Sequence, residues 1–118
     1  MRLAEAELVA LYPETQYLLD LRDAGWSFQP QRIDGEPVIV GFRSWPTHTD
    51  AIWVFGRTRC LGIRTLDNAP GVAGGMVWMH ESDLAAVTHE ILALPAPGAR
   101  LAPSLVLPWT TANIPWTP

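Results

Sequence analysis

The chain has no lysine, and its eight basic residues are all arginine. That preference, with plentiful alanine, glycine, proline and tryptophan, is the coding style of a GC-rich bacterium or phage. Charge is sparse, at 17% of residues, and the formal net charge is −4. An acidic balance argues against a general nucleic-acid binder, because neutralising phosphates supplies most non-specific affinity. The single cysteine, Cys60, excludes an internal disulfide framework and any multi-cysteine zinc site. Its neighbours Arg59 and Leu61 suit a strand, so a buried structural thiol is expected. No apolar run approaches the ~20 residues that a membrane span requires. The start also lacks a basic region followed by an apolar stretch. A soluble, cytoplasmic protein with no membrane association is therefore expected.

What is present suits one globular domain: 118 residues, 48% of them hydrophobic. Residues 3–12 are helix-compatible, with Leu3, Leu8 and Leu11 on the apolar side, and Pro13 stops or kinks that segment. From 14 to 24, Tyr17, Leu18, Leu21 and Ala24 recur at helical spacing. Gly25 follows where a helix C-terminus favours glycine, with Arg22 in the last turn. The period then changes to two. Trp26, Phe28 and Pro30 alternate with polar residues in a strand that Pro30 marks as an edge. Asp34-Gly35 is a hairpin turn. Further strands are expected around Val38–Phe42, Ala51–Phe55, Arg59–Leu66 and Met76–Met79, with a loop over 67–75. Ser82 can cap a last helix whose stripe is Leu84, Val87, Ile91 and Leu94, ended by Pro95 and Pro97.

Helices on one face of an antiparallel sheet make an α+β two-layer sandwich. The expected architecture is a five-stranded antiparallel meander with N-terminal and C-terminal helices. Residues 1–95 form the domain and residues 96–118 an extended Pro-rich tail. With a turn centred on Arg57-Thr58, Val54 would face Leu61 and Ile52 would face Ile63. The opposite face would then carry Trp53, Phe55, Cys60, Gly62 and Arg64, joined by Ile39, Arg43 and Trp45. Both faces stay apolar in either register, since a one-residue slip only exchanges them.

The tail repeats itself. Leu107-Pro108-Trp109-Thr110 is echoed by Ile114-Pro115-Trp116-Thr117. Burying one indole removes ~150–250 Å² from water, so two tryptophans on a proline-stiffened backbone call for a surface to rest on. That surface can be this subunit's own sheet, a second copy, or a partner groove that takes proline-rich segments. Arg43, Trp45, Trp53, Phe55 and Arg64 combine the residue types favoured in interface hot spots. With Trp109 and Trp116 they form the candidate interaction set.

Other constellations point to no chemistry. His80-Glu81 and His89-Glu90 lack the i, i+4 histidine pair of a zinc-protease helix, and His48 near Asp50 adds no third ligand. No metal or cofactor is expected. Gly71-Val72-Ala73-Gly74-Gly75 precedes a strand rather than a helix and has no lysine, unlike a phosphate-binding loop. No Gly-x-Ser-x-Gly elbow surrounds any serine. The sequence thus suggests a non-catalytic protein–protein interaction module, an accessory, adaptor or inhibitor-like protein acting with a protein partner or as a homodimer. The alternatives are a small-molecule binder or minor enzyme, with Arg43, Arg64 or His80 holding an anion between sheet and helices, and a structural subunit of an assembly such as a phage particle.

Overall fold

A computed structural model describes residues 10–67 and 75–105. The first expected helix lies mostly outside them; Ala10 and Leu11 are helical and Pro13 follows in a turn. Helix α1, Thr15–Asp23, buries Leu21 and ends as its glycine requires. Gly25 takes φ +100°, a conformation that carries no Cβ penalty for glycine alone. Its N–H donates to Arg22 O (3.0 Å), and Trp26 N–H donates to Leu21 O (3.1 Å). These two bonds close a Schellman motif, which normally brings an apolar contact with it. Here Leu21 and Trp26 lie in one buried cluster.

Five strands follow: β1 (Ser27–Ile33), β2 (Glu36–Ser44), β3 (His48–Gly56), β4 (Arg59–Leu66) and β5 (Met76–Ser82). They form a single antiparallel meander in sequence order. The β1–β2 turn has φ +52° at Asp34 and +81° at Gly35. Positive φ at both central residues is the type I′ geometry that matches the twist of a two-residue hairpin. Pro30 lies on the edge strand, the place in a sheet where a residue without an N–H is tolerated.

Helix α2, Leu84–Ala93, packs on the same side as α1. Its cap is Asp83, which accepts from Ala86 N–H at 2.7 Å. Ser82, the expected cap, still pairs with Cys60 at the end of β5. The side chains of Leu84, Val87 and Ile91 meet Ile52, Val54 and Cys60, and Leu94 closes the helix half-buried. Gly62 sets how near the helix comes: a Cβ there would stand 2.9 Å from Val87 Cγ1 and 3.3 Å from Ile91 Cδ1 and Trp78 Cζ3. The architecture is an α+β sandwich of one sheet with a helix from each end of the fold on its first side. No described helix is long and apolar enough to cross a membrane.

The β3–β4 register differs from the sequence expectation. Arg57-Thr58 does form the turn, with Gly56 opposite Arg59, but a bulge between Val54 and Gly56 shifts the pairing by one residue. Val54 therefore faces Cys60 rather than Leu61, and Ile52 faces Gly62 rather than Ile63. An extra residue in one strand exchanges the faces of everything beyond it. Cys60, Gly62 and Arg64 thus belong to the helix side. Trp53 and Phe55 share the other side with Leu61 and Ile63.

The close approach at Gly62 is testable. Gly62→Ala forces a Cβ into a filled contact and lowers the unfolding free energy by about 1–3 kcal/mol, read by urea denaturation. An unchanged midpoint would mean that α2 can lift from the sheet without cost.

Candidate interaction surface

The bulge divides the expected interaction set. Trp53, 1% exposed, and half-buried Phe55 lie on the second side of the sheet. Arg64 is fully buried on the helix side. Its opposite neighbours across the ladder are Asp50 and Trp78, and Asp50 in turn faces Arg43. Trp45 follows β2 and turns toward the same group. Trp109 and Trp116 lie outside the described residues.

Arg64 and Asp50 form a forked ion pair: Nε donates to Oδ1 at 2.7 Å and Nη2 to Oδ2 at 3.1 Å. Two further bonds join the pair. Arg64 Nη1 donates to the Pro95 carbonyl at 2.5 Å, and Trp45 Nε1 donates to Asp50 Oδ2 at 2.9 Å. The Arg43 guanidinium lies 4.2 Å above the Trp45 ring, and that of Arg64 lies 5.7 Å from it. Each nitrogen of Arg64 is committed within the fold. It therefore acts as a structural tie among β3, β4, the β2–β3 turn and the chain leaving α2.

The second side has a different composition. Val38, Val40, Ala51, Trp53, Leu61, Ile63 and Met76 make its buried cluster, with Ile33, Phe42, Phe55 and Met79 packed around them. Every one of these residues is on a strand; α1 and α2 place their buried apolar side chains in the first-side cluster. At the rim, Arg59 Cζ sits 4.3 Å from the Phe55 ring centroid. Strand alternation explains the content, since Val38, Val40 and Phe42 point one way along β2 while Ile39 and Gly41 point the other.

The histidines stay apart. His48 shares a hydrogen bond with Thr47 Oγ1 (2.7 Å), His80 lies 6.2 Å from Trp78 between ring centroids, and His89 is exposed on α2. Among the described residues, no group of three His, Cys, Asp or Glu side chains could hold a metal. Of the glycine-rich stretch only Gly75 is described; its carbonyl accepts from Leu66 N–H at 2.8 Å.

Two clefts escaped the sequence reading. One, about 360 Å³, is lined mainly by Leu18, Leu19, Phe28, Pro30 and Ile39, between α1 and the edge hairpin. Phe28, one of its walls, lies over Gly41, where a Cβ would come within 3.0 Å of the ring. The other, about 300 Å³, lies beside the start of α2, with Glu14, Tyr17, Arg57 and Asp83 among its walls. Neither of these two clefts is lined by Arg43, Arg64 or His80.

Two outcomes follow from the helix-side geometry. Asp50→Ala leaves the Arg64 cation buried without its counter-ion and lowers the unfolding free energy by about 3–5 kcal/mol, whereas Trp45→Phe removes one bond to a charged group and costs about 1.5–3 kcal/mol. Equal, small losses in denaturant titrations would contradict the network. Burial also raises the Cys60 thiol from 9.0 to about 12; a hydrogen bond from the Leu61 backbone opposes the shift and the Asp83 carboxylate adds to it. The folded chain holds this proton more tightly than the unfolded one. Its contribution to stability is complete below pH 9 and is lost as pH rises toward about 12. Between those values wild type should lose stability more steeply than Cys60→Ala. No protein-family model, curated protein or solved structure matches the chain.

Proposed function

We propose that this chain is a non-catalytic protein–protein interaction module, accessory, adaptor or inhibitor-like, that works through the second side of its sheet and its repeated Pro-Trp-Thr tail. One observation carries the reading: the sheet is apolar on both sides, while both described helices pack on the first. A lone helix layer needs only one apolar sheet face. A second apolar face adds nothing to such a sandwich unless another surface covers it; its centre is buried at Val40, Trp53, Leu61, Ile63 and Met76, so the part open to a partner is its half-buried rim. The rim supports the same reading. Phe42, Phe55 and Met79 are half-buried there, and Arg59 stacks on Phe55, so aromatic and guanidinium groups frame an apolar centre. The partner is a protein, a second copy of this chain included.

A second reading, a small-molecule-binding protein, draws on the apolar cleft beside α1. Its volume of about 360 Å³ falls in the range of ligand sites. Its walls are mainly apolar, with Thr15, Arg22 and Gln29 the polar side chains among them, and this reading ranks behind.

Sedimentation of the full chain over a wide concentration range tests the first reading. The expected result is a dimer that Phe55→Glu weakens at least tenfold, because the new carboxylate sits at the rim without filling the core. A chain that stays monomeric at every concentration, and that cross-links to no protein in its host's extract, overturns it.

A further inference from the structure

Backbone parity along the meander fixes what the outer edge of β1 offers to another chain. Trp45 N–H donates to His48 O at 2.8 Å, which makes these two a bonded pair at the β2–β3 turn. Bonded and non-bonded pairs alternate along an antiparallel ladder. Arg43, Gly41 and Ile39 therefore bond to β3, and Phe42, Val40 and Val38 turn their backbone groups toward β1. The Asp34-Gly35 turn gives the same parity from the other end. A two-residue I′ hairpin closes on a bonded pair, here Ile33 and Glu36. Gln29 and Gln31 are thus used within the hairpin, while Phe28, Pro30 and Arg32 point their backbone groups outward. The central N–H of that outward row is missing, and a pyrrolidine ring stands in its place.

The rest of this edge is suited to pairing. Antiparallel pairing with a second copy, centred on residue 30, sets Phe28 of one chain opposite Arg32 of the other and keeps the two Arg32 side chains apart. Beside the edge lies the apolar cleft, in which Ile39 is exposed. Lysine, the commonest charge that guards such an edge, is absent from the chain, and proline is another guard. The opposite edge is interrupted differently. Asp67 N–H donates to Thr47 O at 2.9 Å, so by the same alternation Arg64, Gly62 and Cys60 bond to Trp78, His80 and Ser82. Between the bulge at Val77 and the end of β5, only Met79 and Glu81 face outward, and Glu81 carries a charge.

We propose that Pro30 bars strand addition at β1 and so keeps a second copy of this chain to the second side of the sheet. The inference rests on the reading of that side as the interacting one, and makes Pro30 the residue that decides between contact by face and contact by edge. The bar belongs to the β1 backbone. It acts on any stretch of chain that approaches, whichever molecule supplies it.

Sedimentation velocity of the full chain tests this with Pro30→Val and Pro30→Thr, each alone and combined with Phe55→Glu, and with circular dichroism to show that each is folded. Either substitution restores the outward N–H with a residue that suits a strand. Both should associate at least tenfold more tightly than wild type, and the new species should persist in the Phe55→Glu background because they run through the edge. Folded variants that associate no more than wild type overturn the proposal. Growth with valine but not with threonine also overturns it, since the side chain and not the N–H would then be responsible. So does growth that Phe55→Glu abolishes, which would place the new contact on the second side. If Phe55→Glu leaves wild-type association unchanged while both Pro30 variants still grow, the edge bar stands and the second-side reading alone falls.

Discussion

The buried pair of Asp50 and Arg64 is the constraint on which the rest of the structure depends. Taking two charges out of water costs several kcal/mol per ion, and only complete hydrogen bonding makes the arrangement tolerable. The required partners come from distant parts of the chain. Trp45 must turn back from the end of β2, and the carbonyl of Pro95 must arrive from beyond α2. Four segments are thus held to one geometry, because displacing any of them leaves a buried charge short of a partner. Arg43, stacked on the outer side of Trp45, extends the tie toward the surface.

The first-side packing follows from how closely the elements approach. Gly62 admits α2 to within contact of the sheet, and Gly41 lets Phe28 fold down over β2. The bulge in β3 then decides what each side is made of. It sends Cys60, Gly62 and Arg64 under the helices and leaves Trp53 and Phe55 opposite them. Aromatic and guanidinium groups that would have formed one mixed patch are divided into a buried electrostatic tie on one side and an apolar face with a cationic rim on the other. The second side that results is more uniformly apolar than the expected mixed face.

Features encoded within a few residues were legible in the sequence. Gly25 at the end of α1, Asp34-Gly35 in its turn, Pro30 at an edge and the limits of β4 at Arg59 and Leu66 each rest on local backbone chemistry. The apolar character of both sheet sides was legible too, because it survives either register. The candidate site was half legible: Trp53 and Phe55 share a surface, whereas Arg43, Trp45 and Arg64 belong to another. The helix cap moved from Ser82 to Asp83 because β5 runs on far enough to keep Ser82 paired with Cys60. Strand pairing settles that, not local propensity.

The sequence by itself determined the elements, their order, the antiparallel meander and the excess of apolar surface over what a single helix layer can cover. These depend on periodicity, turn chemistry and composition, which act over short stretches of chain. Only the tertiary structure decided which residues share a side. One extra residue in β3 inverts the faces, and neither sterics nor propensity marks Phe55 as the place where it enters. It also decided the fate of the charges. Asp50 and Arg64 lie fourteen residues apart, and nothing local distinguishes a solvated arginine from one that must be buried. Their meeting is fixed by register and by the desolvation cost that only a complete set of partners can offset.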